Sequence, residues 1–316
     1  MIIVLTFLLG LILLYFGGEL LVKGSVAFSL RIRISTLVVG MTVVSFATSA
    51  PELFVSLQAV FAGSNDIAFG NVVGSNIANI ALVLGITASI FRVTISNQTV
   101  NINYPFLLFV SLFFGLVLYF FDGIPRLLGL LFIVFLMFFI IYLIKKSREQ
   151  NLKHSIEDSL LQEINKSSVF RELSFLFLGV LLLKYGADFL VDSSISIAKI
   201  FDISERVIAV TVVAIGTSIP ELATSIIAAI KKEDNLAVGN LIGSNIFNIL
   251  AVLGIVASIN EIRILDSAIL TFDYVWMIGI TFLLGAFIYL FSKSKISRFE
   301  GLTLVILYCI YLYSSI

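Results

Sequence analysis

Two reactive side chains are almost missing from this 316-residue chain, which holds one cysteine, Cys309, and one histidine, His154. A lone thiol excludes an intrachain disulfide, and a lone imidazole leaves no set of nitrogen and sulfur ligands for Zn²⁺ or Cu⁺. Neither HExxH nor GxSxG occurs, so the parts expected of an intramembrane hydrolase are absent and no enzyme activity is expected. Charge is scarce too: 13% of residues are charged and the formal net charge is +0. That excludes a soluble, charge-coated domain, and no nucleic-acid partner is expected. Cys309 is read as a small apolar residue in the last apolar run. His154 sits among Lys, Ser and Glu with no partner at metal-ligand spacing, which fits a solvated loop.

What the chain has in excess is apolar length. Hydrophobic residues make up 59% of it and the mean hydropathy is +1.12, the composition of a polytopic, all-α membrane protein. Runs near the roughly 20 residues needed to cross a bilayer fall at 2–22, 36–62, 67–91, 104–121, 124–144, 172–196, 205–230, 236–259, 268–291 and 299–315. Ten transmembrane helices are therefore expected. The first run has no basic flank before it, and Glu19 stands where a signal peptide would need a small-residue cleavage site, so it reads as a retained helix.

The stretch 145–171 is the one long polar segment and reads as a linker between a first half, 1–144, and a second, 172–316. Counted along ten alternating spans, fifteen Lys and Arg fall on the linker's side and four on the other, with Lys184 inside a span. The positive-inside rule then puts 145–171 in the cytoplasm and both termini outside the cell membrane. Lys184 lies four residues before Asp188, and the two are expected to pair on one helix face.

The halves are copies. Thr42 to Ile80 reappears 169 positions later as Thr211 to Ile249, and Gly17-Gly18-Glu19 aligns with Gly186-Ala187-Asp188. Five spans per copy is an odd number, so the second copy enters the membrane from the opposite face. Inverted repeats put matching mid-span residues near a pseudo-two-fold axis in the membrane plane, where Glu52 and Glu221 can meet.

An acid inside an apolar span marks a functional site unless a partner explains it, and no basic partner lies in the spans of Glu52 or Glu221, Arg206 standing at the far end of the second. Pro51 and Pro220 precede them, and proline cannot donate to the carbonyls of Ala47 and Gly216. Discontinuous helices with exposed carbonyls are expected there. Ser45, Thr48, Ser49, Glu52 and Ser56 share one helix face, and Thr217, Ser218, Glu221 and Ser225 repeat it. Asn71, Ser75 and Asn79 form a second stripe, matched by Asn240, Ser244 and Asn248, with Gly70, Gly74, Gly239 and Gly243 beside them for close helix approach. The inventory is all oxygen, which selects hard cations such as Ca²⁺ or Na⁺ over Zn²⁺. Two facing carboxylates are costly to bury empty, which favours obligatory exchange over uniport. The residues alone leave Na⁺ and H⁺ both open as the counter-ion, and a cation channel is the rival from another class.

At these residues the chain resembles the sodium/calcium exchangers of the cation/calcium antiporter superfamily, whose repeats carry G-T-S-x-P-E and G-N-x-x-G-S-N. The corresponding segments here are ATSAPE (47–52), GTSIPE (216–221), GNVVGSN (70–76) and GNLIGSN (239–245). The short linker is similar to that of prokaryotic members. The resemblance implies antiport of Na⁺ for Ca²⁺ without a cofactor, with H⁺/Ca²⁺ antiport as the alternative. It implies that Glu52 and Glu221 ligate the ions and that Thr48, Ser49, Thr217, Ser218, Ser75, Ser244, Asn79 and Asn248 complete the sites, with carbonyls near Ser45 and Ala214. Sliding of the first and sixth spans over a fixed core would give alternating access. Some potassium-dependent relatives carry an acid where this chain has Asn248, which argues against potassium co-transport.

Overall fold

The structure, a computed structural model, describes residues 2–153, 168–200 and 214–315. Among them the helices, in chain order, are α1 (Ile2–Arg31), α2 (Thr36–Thr48), α3 (Ala50–Phe61), α4 (Asn65–Ile90), α5 (Thr99–Phe121) and α6 (Arg126–Lys153). After the linker come α7 (Val169–Ile200), α8 (Ala214–Gly216), α9 (Ile219–Ile230), α10 (Asp234–Ile259), α11 (Ile269–Phe291) and α12 (Arg298–Ser315). Four two-residue strands, β1 (Val93–Thr94), β2 (Gly123–Ile124), β3 (Ile262–Arg263) and β4 (Lys295–Ile296), join helix ends.

Seven of the described helices are long and apolar enough to cross a membrane, and eight if α2 and α3 form one broken span. The protein is thus an all-helical, multi-pass membrane protein. The expected seventh span starts at 205, in a stretch outside the described residues. The expected tenth, 299–315, coincides with α12. Helices α6 and α7 reach Lys153 and Val169, so both described ends of the 145–171 stretch are helical where a loop was expected. Leucine- and phenylalanine-rich sequence without a proline or a cap carries α6 past the apolar run into its charged last turns.

The chain forms two compact units, Met1–Thr48 with Phe139–Asn240, and Ser49–Phe138 with Leu241–Ile316. In the first, α1 packs along α7, and both also pack on α9. Gly10 meets Gly186 and Gly17 meets Gly179, so the two helices run antiparallel. A Cβ on Gly17 would lie 2.7 Å from the Leu183 amide, and one on Gly179 2.7 Å from that of Leu21. Backbones this close exclude any larger residue. One end of this pair is tied by Arg31, whose Nε and Nη2 donate to the two carboxylate oxygens of buried Glu172 at 2.7 and 2.8 Å.

In the second unit α4 packs against α3 and α12. Its strands pair antiparallel as β1 with β4 and β2 with β3. Since β3 is the copy of β1, each copy supplies the partner for the other's counterpart. The same exchange recurs in side chains. Tyr104 Oη donates to the Thr281 carbonyl at 3.0 Å, and Tyr274 Oη to that of Ser111 at 3.1 Å, each ring seated over a glycine, Gly285 or Gly115. Helices α4 and α10 are the most buried of the spans, at 78% and 83%, whereas α1, α6 and α7 are 22–28% buried and expose Leu8, Phe138 and Phe177 among other apolar side chains.

Candidate ion-binding site

The second unit holds Ser49, Glu52, Ser75, Asn79, Ser244 and Asn248. Pro51 occupies the second position of α3, after a turn at Ser49 with φ −84° and ψ 4°. Glu52 therefore sits in the first turn of α3, a position acidic side chains commonly take at the positive end of a helix. It is fully buried. Asn71 of α4 holds this turn, its Nδ2 donating to the Glu52 carbonyl at 3.1 Å and to Ser56 Oγ at 3.0 Å. Helix α3 packs both on α4 and on the π-helical segment Asn248–Leu253 of α10, so one unit brings Glu52's helix against the helices of Asn79 and Asn248.

Asn79 and Asn248 lie at the start of matching π segments, Ala78–Leu84 and Asn248–Leu253. A π turn rotates following side chains off the regular helical face and recurs at functional sites. Both asparagines are fully buried, and among the described residues their amide atoms make no hydrogen bond. Ser49 Oγ, also buried, makes none either. Buried polar atoms of this kind carry a desolvation cost unless a ligand meets them.

The first unit holds Ser45, Thr48, Ala214, Thr217, Ser218 and Glu221. Helix α9 repeats the design of α3: Ser218 makes the turn with φ −89° and ψ 1°, Pro220 follows, and fully buried Glu221 lies in the first turn. Thr224 Oγ1 donates to the Pro220 carbonyl at 2.7 Å. Ser218 Oγ is buried without a hydrogen bond among the described residues. Ala214 opens the three-residue α8. Across the Gly40–Gly239 crossing, Ser45 Oγ shares its proton between the carbonyls of Gly40, at 2.7 Å, and Asn240, at 2.9 Å. Thr48 Oγ1 donates to Asn240 Oδ1 at 3.2 Å.

Asn71 and Asn240 are thus framework for the candidate ligands; their four-residue spacing from Ser75 and Ser244 was the signal. Gly239 makes the close crossing expected of it, with Gly40, and among the described residues a Cβ at Gly70 or Gly74 would meet nothing within 4 Å. Lys184 Nζ pairs with Asp188 at 2.8 Å on the exposed face of α7, as the i, i+4 spacing predicts. Among the described residues no three His, Cys, Asp or Glu side chains cluster, so hydroxyl, amide and carbonyl oxygens have to supply most ligands for any bound cation.

Fully buried acids in the first turns of helices within a multi-pass α-helical protein define the class of membrane ion transporters. Residues 2–145 and 172–316 match the family "Sodium/calcium exchanger protein". The chain belongs to the sodium/calcium exchanger family, whose members are transporters. It is 28% identical over 338 residues to sodium/calcium exchanger MaX1 of Methanosarcina acetivorans, covering 96% of each chain. To inner membrane protein YrbG of Escherichia coli it is 37% identical over 257 residues, covering 80% of this chain and 78% of that one. The crystallised sodium-calcium exchanger NCX_Mj, soaked with Na⁺ and Ca²⁺, superimposes with a TM-score of 0.83 at 31% identity, covering 99% of this chain and 98% of that one.

Proposed function

We propose that the protein exchanges Na⁺ for Ca²⁺ across the cell membrane by alternating access. The observation that carries this reading is the pair of buried acids, Glu52 and Glu221, each in the first turn after a proline-broken turn. Their two charges match one Ca²⁺, and the same oxygens suit Na⁺, which is of similar size. Thr48, Ser49, Thr217, Ser218, Ser75, Ser244, Asn79 and Asn248 serve as neutral ligands beside these acids, while carbonyls near Ser45 and Ala214 complete neighbouring ion sites. No cofactor takes part. The printed names of MaX1 and NCX_Mj, both sodium/calcium exchangers, support Na⁺ as the counter-ion.

The proposed architecture is ten helices in two inverted five-helix repeats, 1–144 and 172–316. It draws support from the exchanged pairs β1–β4 and β3–β2, Tyr104–Thr281 and Tyr274–Ser111, and Gly10–Gly186 and Gly17–Gly179. The charge count places the linker 145–171 in the cytoplasm and both termini outside. Burying an unloaded acidic site is costly, so the carrier reorients loaded and exchange is obligatory.

Purified protein in Na⁺-loaded proteoliposomes tests this. Ca²⁺ uptake is expected on dilution into Na⁺-free buffer, undiminished by a protonophore. Uptake that ignores the Na⁺ gradient and follows an imposed pH gradient would replace Na⁺ with H⁺ in this scheme, and single-channel currents would replace the carrier with a pore.

A further inference from the structure

Asn76 and Asn245 close the second motif of each copy, and neither is among the candidate ligands. Both are 1% exposed. Asn76 Nδ2 donates to the Asn245 carbonyl at 3.3 Å, and Asn245 Nδ2 donates to the Asn76 carbonyl at 3.3 Å. Each side chain therefore satisfies the main chain of its own counterpart in the duplication. The Oδ1 atom of each is buried with no hydrogen bond among the described residues, while Asn76 Nδ2 also donates to Met277 Sδ at 3.7 Å. A half-satisfied amide is a poor choice for stability in so buried a place, where an aliphatic side chain would pack at lower cost.

A reciprocal pair does something an aliphatic contact cannot. The two bonds use the same two residues, so both form in one register of α4 against α10, and a slip of one residue along either helix breaks both. A single buried asparagine fixes register in coiled coils on the same grounds, at a cost in stability. Here the pinned turns stand directly before the π segments that begin at Ala78 and Asn248. Asn79 and Asn248 follow the clasp by three residues, on the neighbouring part of the helix face.

We propose that Asn76 and Asn245 form a register clasp that sets where Asn79 and Asn248 present their oxygens, and so act as positioning residues for ion binding without being ligands. This rests on the assignment of Glu52, Asn79 and Asn248 to the ion sites. The test measures Ca²⁺ uptake against Ca²⁺ concentration in Na⁺-loaded proteoliposomes for wild type, Asn76→Ala, Asn245→Ala, the double variant and Glu52→Gln. Loss of an outer-shell partner typically lowers metal affinity by about 10- to 100-fold. The half-saturating Ca²⁺ concentration is therefore expected to rise about tenfold or more in each single variant. The double variant should be no weaker than either single one, because one lost amide already opens the clasp. Maximal flux at saturating Ca²⁺ should stay within about twofold of wild type. A folded variant with unchanged half-saturation, or one that loses maximal flux alone, overturns the clasp. If Asn76→Ala does not fold, Asn76→Leu, close to asparagine in shape and without polar atoms, carries the same comparison. Glu52→Gln separates the two levels: wild-type Ca²⁺ dependence in that variant refutes the ion-site assignment, whereas its loss beside unaffected Asn variants refutes the clasp alone.

Discussion

Alanine at Gly285 should wreck one of a matched pair of sockets. A Cβ built there overlaps Tyr104 Oη outright and lies 2.6 Å from Cζ of the same ring. Tyr104 is 3% exposed and stacks edge-on against Tyr289, so the ring has nowhere to swing. Overpacking of a buried site costs about 1–3 kcal/mol, and moving the ring also sacrifices the bond to the Thr281 carbonyl, worth about 1 kcal/mol. The expected loss is about 2–4 kcal/mol, a fall of roughly 5 °C or more in melting temperature for a chain of this size. Gly115→Ala collides with Tyr274 in the same way, with Cε1 at 2.8 Å, but Tyr274 is half-buried and can yield, so its cost should be smaller. Tyr104→Phe added to Gly285→Ala removes the overlapping oxygen and should recover part of the loss. Melting of detergent-purified variants, followed by monodispersity on size exclusion, measures all of these. A Gly285→Ala protein as stable as wild type would refute the socket, and a Tyr104→Phe that deepens the defect would refute the clash as its cause.

Other outcomes follow from neighbouring contacts. Asn71→Ala removes both bonds from Asn71 to α3, and should raise the half-saturating Ca²⁺ concentration about tenfold at a stability cost of about 1–2 kcal/mol, read from uptake and melting together. Glu172→Gln breaks a buried, bidentate pair with Arg31, and its melting temperature should fall well below that of Asp188→Asn. The latter loses only an exposed i, i+4 pair, worth about 0.3–0.5 kcal/mol. Burial, with Asp234 beside it, holds the Glu233 carboxyl above its ordinary pKa. The folded chain then binds this proton more tightly than the unfolded chain, so the group's contribution favours folding at acid pH and declines as pH rises through the raised value. Glu233→Gln should flatten that decline in a melting series from about pH 4 to about pH 8.

The local geometry of the candidate site was readable from sequence: Pro51-Glu52 and Pro220-Glu221 carry the turn and the buried first-turn acid within a few residues. Seven or eight of the ten expected spans were readable for the same reason, since apolar length is a property of a single run. Long-range partners left no such trace. Arg31 and Glu172 meet across 141 positions, and nothing near either residue announces the other. The tyrosine sockets were hidden by a slip in register, because Tyr104 matches Tyr274 at an offset of 170 while the motifs repeat at 169. The π segments were hidden too, since one extra residue in a helical turn leaves the apolar pattern of α4 and α10 intact. The compact units also draw on both halves of the chain, with their boundary at Thr48–Ser49 falling on the broken turn itself. Hydropathy cannot reveal that division, which depends on which helices pack together.

The assignment of Glu52 and Glu221 as ion ligands is tested most directly by Na⁺-driven Ca²⁺ uptake in proteoliposomes carrying Glu52→Gln or Glu221→Gln. Each change keeps the side-chain shape and removes one ligand charge. Both variants should purify as folded protein and show no Ca²⁺ uptake above that of protein-free vesicles, whereas substantial uptake by either would contradict the site.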